Sequence, residues 1–445
     1  MIYSKLTPHQ FLLLGFVFII FAGAILLSLP IASATGGSQP FVDAAFMATS
    51  AVSTTGLAVV DIGSYYSLFG QIVILTLIRI GGLGYMIFIV MVVLQLGVKL
   101  SLGGKLILEE SLGSAPYEEV LHFSKVVVFI TFVIEFIGAV ILSIYWRSEF
   151  PVRHAVYLGI FHAVSAFCTA GFSLFSGNLC AYRDSVVVNA TINVLCLSGG
   201  IGFFVIYDVY HFISGKARED EAPRRLLVHT KLVLIMLPAL LIVGVLLLYM
   251  SEWSTPFPSL KDRRLTSIFQ TVSASSTTGF NTIDFGTVKA LGLFAMVILM
   301  FIGASPGGTG GGVKTTTFGL LIASVFSVVS RKDDLILFNR SISSRTKDRA
   351  FAICTIAMFL VTMDVLILSG TEKASFMEIL FETVSAFGTV GLSTGVTPSL
   401  SMAGKIVLTV TMLIGRVGPL AIGFSLRGKR KSVPIKYPEG GVLVG

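Results

Sequence analysis

An all-α polytopic membrane protein, assembled from four fused copies of one helix–short helix–helix unit, is what the amino-acid sequence predicts. Three observations predict it. The chain is 54% hydrophobic and only 13% charged, with a mean hydropathy of +0.89, where a soluble domain carries about a quarter charged residues. Apolar runs of about twenty residues, long enough to cross a bilayer as helices, recur from end to end. One short pattern also returns four times: SAVSTTGLAVVD from Ser50, FHAVSAFCTAGFS from Phe161, QTVSASSTTGFNTID from Gln270 and ETVSAFGTVGLSTG from Glu382.

The glycines of that pattern, Gly56, Gly171, Gly279 and Gly391, lie 115, 108 and 112 residues apart. So regular a period marks four copies of one structural unit. Copy one (1–98) carries long apolar runs at about Pro8–Leu29 and Ser67–Leu96. Copy two (99–214) carries them at Val120–Trp146 and Ser185–Phe212, and copy three (215–332) at Leu226–Met250 and Val288–Ser330. Copy four (333–431) has Arg349–Ser369 and Met402–Leu426, and residues 432–445 form a cytoplasmic tail. Between each pair lies a shorter run: Phe41–Ser53, Val152–Phe167, Leu265–Ser275 and Phe376–Phe387. At roughly a dozen residues these cannot span. Each is expected to enter as a short helix and turn back, and its irregular exit is tolerable only where it lines a water-filled cavity.

The net charge of +8 is no nucleic-acid signal, because the charges sit mostly in the turns between runs. Of the 32 Lys and Arg, 20 fall at the amino terminus, in the turns between copies and in the tail, against 9 on the opposite side. The positive-inside bias therefore places both termini in the cytoplasm and opens the four motifs outward. The first run, about Phe11–Leu29, is too long for the apolar core of a signal peptide. Four cysteines without a CxxC pair and six scattered histidines without HExxH argue against a disulfide framework or a zinc site. The chain offers no nucleophile–base pair, so an enzyme is not expected.

The repeated motifs have a chemistry of their own. A re-entrant segment leaves backbone carbonyls without helical partners. Four such segments around an axis can offer them to a dehydrated cation. Glycine permits the backbone angles that aim successive carbonyls, threonine adds a hydroxyl, and the small pairs Ser50-Ala51, Ser165-Ala166, Ser273-Ala274 and Ser385-Ala386 let four short helices approach. The carboxyl ends of those helices favour a cation below them.

The strings STTGL, CTAGF, STTGF and GTVGL resemble the filter signatures of the Trk/Ktr/HKT superfamily of K+ transporters. Its members look like potassium-channel pore units fused four times around a central pore. The resemblance covers nearly the whole chain and is closest to the membrane subunits of bacterial Ktr systems. It implies a K+ selectivity filter, holding K+, at Thr54, Thr55, Gly56, Thr169, Ala170, Gly171, Thr277, Thr278, Gly279, Thr389, Val390 and Gly391. No tyrosine–glycine follows these glycines; Leu57, Phe172, Phe280 and Leu392 stand there. That implies fewer well-formed ion sites and leaves a less selective monovalent-cation pathway as the alternative. Sodium stimulation, and channel against symport, stay open.

GASPGGTGGGVK interrupts the second long run of copy three: Gly303, Ala304, Ser305, Pro306, Gly307, Gly308, Thr309, Gly310, Gly311, Gly312, then Val313 and Lys314. A proline and so many glycines cannot hold a helix in mid-membrane. A phosphate loop would need glycine directly before the lysine. The remaining readings are a packing kink and a movable loop beneath the filter; the resemblance implies the latter, an intramembrane gate. Arg79, Lys314 and Arg416 are costly in a membrane and are expected to snorkel or to face a cavity or partner. Arg416 is too deep to snorkel easily and is expected below the filter, hydrogen-bonded to loop carbonyls. Glu135 and Asp364 lie in apolar outer helices with their roles open. Glu378 and Glu382, on the fourth short helix, are expected to make structural hydrogen bonds behind the filter.

The resemblance further implies a bacterial plasma-membrane protein surrounded by lipid, a homodimer, and a KtrA-like cytosolic ring of Rossmann-type subunits. ATP or ADP would bind that ring and not this chain. Candidate contacts are Lys216–Arg225, Arg331–Arg349 and the amino-terminal segment. The apolar Gly440–Gly445 would either dock at the dimer interface or hang loose.

Overall fold

The computed structural model describes residues 8–84, 117–214, 225–251, 260–331 and 334–420. The segment before residue 8, the basic candidates Lys216–Arg224 and Lys332, and the tail 432–445 lie outside the described residues.

The described chain is mostly helical. Copy one supplies α1 (Pro8–Ser28), α2 (Phe41–Val52), the single turn α3 (Ile62–Tyr65) and α4 (Leu68–Gly82). Copy two supplies α5 (Tyr117–Trp146), α6 (Val152–Phe167), α7 (Val186–Gly200) and α8 (Phe203–Ser214). Copy three has α9 (Val228–Met250), α10 (Leu260–Ser275), α11 (Ala290–Ile302) and α12 (Thr315–Val329). Copy four has α13 (Ser344–Thr371), α14 (Phe376–Gly388) and α15 (Met402–Val417). Local chemistry explains the starts. Ser67, Ser185 and Ser401 cap α4, α7 and α15 with their hydroxyls, satisfying amides that have no intrahelical partner. Ser375 and Glu378 close a reciprocal capping box on α14,.

Among the described residues, Phe123–Trp146, Val228–Met250 and Ser344–Thr371 are long and apolar enough to cross a membrane. Their outward faces expose large apolar side chains, such as Phe136 at 70%, which is a lipid-facing rather than a water-facing surface. The short helices lie inside. Phe46, Phe161, Phe381 and Phe387 are fully buried. The second long helix of each copy packs on the short helix of the next: α4 on α6, α7 on α10, α11 on α14, and α15 back on α2. The circuit closes in chain order.

Two expectations need correction. The second long run of copy two is not one helix. It breaks between Gly200 and Phe203, and α7 and α8 meet at 93°. Gly202 turns with φ +100°, and the freed Phe203 amide donates to the Gly307 carbonyl at 3.0 Å. The runs of copies one and four stop at the same point: α4 ends at Gly82 before Gly84 (φ +75°), and α15 ends at Val417 before Gly418 (φ +95°). Nor is the chain wholly helical. The turn between copies three and four holds a hairpin, β1 (Leu335–Leu337) with β2 (Arg340–Ile342), pairing Leu335 with Ile342. Its two turn residues, Phe338 and Asn339, both have positive φ, the geometry that matches strand twist. Lys231 at the start of α9 lies 5.8 Å from the Phe338 ring.

Candidate functional site

Each short helix ends in the same way. The amide of the next threonine (Thr54, Thr169, Thr277, Thr389) returns to the carbonyl of Ala51, Ala166, Ala274 or Ala386 at 3.1–3.2 Å. The following amide (Thr55, Ala170, Thr278, Val390) bonds the carbonyl of Ser50, Ser165, Ser273 or Ser385 at 2.8 Å in all four. These bonds force the four threonines into the left-handed region, φ 49–57°, a rare state for a β-branched residue that costs on the order of 1–3 kcal/mol and clusters at functional sites. The glycine that follows also has positive φ, 64–94°.

The four turns meet. A Cβ built on Gly56 would overlap the Ala170 carbonyl, and one on Gly171 the Thr278 carbonyl. Likewise Gly279 faces the Val390 carbonyl and Gly391 the Thr55 carbonyl. The expected filter residues thus form a closed ring of backbone in chain order, with no room for a side chain at its glycines. The hydroxyls of Thr55 and Thr278 turn away to Ser53 and Ser276 at 2.6 and 2.7 Å, so these two contribute main chain alone. The serines behind the ring divide into two adjacent pairs by role. Ser50 and Ser385 accept the Gly56 and Gly391 amides, whereas Ser165 and Ser273 donate to the Phe172 and Phe280 carbonyls.

The segment Gly303–Gly312 lies directly against one face of this ring, the face of the Thr54, Thr169 and Thr277 hydroxyls. Thr309 is its centre. Its carbonyl accepts from the Thr54 hydroxyl at 3.1 Å, and its own hydroxyl bonds Thr169 at 3.0 Å and the Phe167 carbonyl at 3.1 Å. The Gly311 amide donates to Thr277 at 3.2 Å. The fourth threonine hydroxyl, on Thr389, is buried and has no hydrogen-bond partner among the described residues, and a side chain on Gly311 would overlap it. The break in α7–α8 completes the seat: the Ser305 and Thr309 amides donate to the Gly200 and Gly199 carbonyls at 3.1 and 3.0 Å.

Arg416 lies on the loop. Its guanidinium donates to the Thr309 carbonyl and to the Gly81 carbonyl of α4, tying copies four, three and one together. Lys314, at φ +86°, curls back to donate to the Gly310 carbonyl. Arg79 does not reach the ring: it pairs with Glu135 and covers the Phe132 ring at 4.4 Å. Asp364 accepts from Thr411 at 2.7 Å. Among the described residues no group of three or more His, Cys, Asp or Glu is placed to hold a metal ion; the oxygens at hand are carbonyls and hydroxyls.

Sequence reading missed a second repeat. IGGLG at Ile80–Gly84, SGGIG at Ser198–Gly202 and IGRVG at Ile414–Gly418 mark the ends of α4, α7 and α15, and IGASPG from Ile302 begins the loop. In the first three the leading glycine (Gly81, Gly199, Gly415) lies so close to a carbonyl in the last turn of its own short helix (Val52, Phe167, Phe387) that only glycine fits. The signal was present, in phase with the first repeat.

A membrane-embedded helical chain whose re-entrant glycine turns close into a ring is a transport architecture, and the chain belongs to a family of cation transport proteins: the TrkH family model, "Cation transport protein", matches residues 10–428. It is 39% identical to the Ktr system potassium uptake protein B of Bacillus subtilis, over 99% of this chain and 97% of the relative. It is 35% identical to the potassium/sodium uptake protein NtpJ of Enterococcus hirae, over 99% of this chain and 98% of that one. The crystal structure of the potassium transporter TrkH from Vibrio parahaemolyticus superposes with a TM-score of 0.70 at 21% identity, covering 93% of this chain and 83% of that one, a likeness of fold.

Proposed function

We propose that this chain is the ion-translocating membrane subunit of a bacterial K+ uptake system, multi-pass in the plasma membrane with both termini cytoplasmic. Four pore repeats surround one axis, and K+ passes through the ring formed by Thr54–Gly56, Thr169–Gly171, Thr277–Gly279 and Thr389–Gly391. The observation that carries the reading is the ring itself: four strained threonine–glycine corners, each held by its own short helix and each packed on the next carbonyl. Carbonyl oxygens so arranged can replace the hydration shell of a monovalent cation. Gly303–Gly312 blocks this path from the inside and is the gate, with Arg416 as its latch and a positive barrier. Two copies of the chain pair, and a cytosolic ring of nucleotide-binding subunits shifts the gate by binding its open and closed states differently. The hairpin in the basic turn 331–349 and Lys231 are a docking surface for that ring.

A second reading, a less selective monovalent-cation path stimulated or carried by Na+, is favoured by the residues after the glycines (Leu57, Phe172, Phe280, Leu392) and by the likeness to a potassium/sodium uptake protein. Rubidium uptake into proteoliposomes, competed by K+ and by Na+, decides. Uptake suppressed by K+ and hardly by Na+ is expected; equal competition would replace the first reading by the second, and no uptake would overturn both.

A further inference from the structure

The short helices carry another four-fold pattern, set three residues before the ring-supporting serines. Met47, His162, Gln270 and Glu382 occupy that position, and all are buried. In three copies the side chain reaches past the glycine to the segment leaving the ring. His162 Nε2 lies 3.0 Å from Ser173 Oγ. Gln270 Nε2 donates to Thr282 Oγ1 at 3.1 Å. Glu382 gathers the most. One carboxylate oxygen accepts from the Ser393 hydroxyl and, at 3.1 Å, from the Thr394 amide, and the other accepts from the Thr397 hydroxyl at 2.8 Å. Met47 can form no such bond. Copy one holds its exit differently: Asp61 caps α3 through the Ser64 amide at 2.9 Å, and Gly63 packs against the Leu174 carbonyl of copy two.

The fourth corner is therefore clamped from both sides by one helix. On its inner side the Val390 amide bonds the Ser385 carbonyl and the Gly391 amide bonds the Ser385 hydroxyl. On its outer side, two residues beyond Gly391, the chain is pinned to Glu382. Hydrogen bonds to a carboxylate are shorter and stronger than neutral ones. Removing the acceptor strands buried donors, the Thr394 amide among them, which is the costly direction of change.

We propose that Glu382 is a positioning residue of the filter: by fixing the exit segment Ser393–Thr397 it sets the direction of the backbone at Gly391, and with it the affinity for K+ and the discrimination against Na+. This role rests on the ring being the K+ path. It also makes the four corners unequal at this position, with copy four held by a carboxylate, copy three by an amide, copy two by an imidazole and copy one by no hydrogen-bonding side chain.

The test is rubidium uptake by proteoliposomes as a function of rubidium concentration, with Na+ as competitor. It compares the natural chain with Glu382→Gln, Thr397→Val and Met47→Leu. An amide offers one acceptor oxygen in place of two, so Glu382→Gln raises the half-saturating concentration about tenfold and weakens discrimination by a like factor, as loss of a charge-assisted bond implies. Thr397→Val, which leaves the short helix untouched, moves both in the same direction by about threefold. Met47→Leu, equally isosteric at the matching position, moves neither. If Glu382→Gln fails to reach the membrane, Thr397→Val decides alone. Half-saturation and discrimination unmoved in both variants, or a fall in maximal uptake only, overturns the role while leaving the path intact. A natural chain that takes up no rubidium overturns the transport reading and this role with it.

Discussion

The glycine ring and the glycine-rich loop beneath it are built from the same residue types and are held in opposite ways. Every corner of the ring is made by its own short helix: four amides return to four serine carbonyls at 2.8 Å, across five residues of sequence. The loop bonds mainly outward. Thr309 alone joins Thr54, Thr169, Phe167, Gly199 and Arg416, which come from three other copies. The ring is thus a locally encoded device repeated four times, and the loop is a single insertion whose place exists only when the other copies surround it. An element held by distant partners can be released by moving those partners. One held by its own helix cannot, short of unfolding that helix.

That contrast predicts changes of opposite sign. The largest should come from the ring. Gly279→Ala puts a methyl into the Val390 carbonyl at a residue with φ +86°, so rubidium uptake per molecule should fall by about a hundredfold or more, since backbone and not a side chain must give way. Uptake within threefold of the natural chain would show that the ring is not the path. Removing residues 307–310 takes away Thr309 and most of the loop's seat. Uptake should then rise roughly tenfold and become insensitive to nucleotide added with the cytosolic partner, the expected behaviour of an unlatched two-state element. Continued nucleotide control would return the loop to a packing kink.

Smaller effects separate the latch from the seat. Arg416→Ala removes the donor shared by the Thr309 and Gly81 carbonyls, and uptake should rise about fivefold, in keeping with a charged hydrogen bond lost from the closed state. A fall instead would assign the guanidinium to the ion path. Thr309→Val keeps the carbonyl contacts and removes the hydroxyl's bonds to Thr169 and Phe167. Uptake measured in the same vesicles should rise only about threefold, the scale of neutral hydrogen bonds.

Much of this was legible in the residues, and the losses are instructive. The short helices were placed within a residue or two, apart from the start of α10, because each runs up to a threonine–glycine signal that ends a helix by local chemistry. Leu260–Ser275 began five residues earlier than expected because its first turn, LKDRR, is polar and apolar content was the guide. The bend between α7 and α8 was read as a continuous span, since Ile201-Gly202 is mild as a breaker and the run stays apolar on both sides. What breaks it is the Gly307 carbonyl waiting for the Phe203 amide, a partner about a hundred residues away. Of the destinations the sequence left open to Arg79, snorkelling or a cavity or partner, it takes a partner, Glu135, whose identity only the packing of α4 against the second copy makes available.

By itself the sequence determined the apolar, mostly helical character of the chain, the four-fold recurrence of one motif, the short helices before it and the strained threonine–glycine corners. All of these follow from composition, period and hydrogen bonds spanning a few residues. Tertiary structure alone decided that the four corners close into one ring in chain order, that Thr309 sits under it, and that Arg416 reaches both the loop and α4. It also decided that α4, α7 and α15 end at positions matching the one where copy three inserts its loop. The physical reason is the range of the interactions. A turn is chosen by the few atoms that make it, whereas a close approach of backbone to backbone, as at Gly391 against Thr55 or Gly199 against Phe167, is chosen by which helices pack together, and that is settled only when the whole circuit of helices closes.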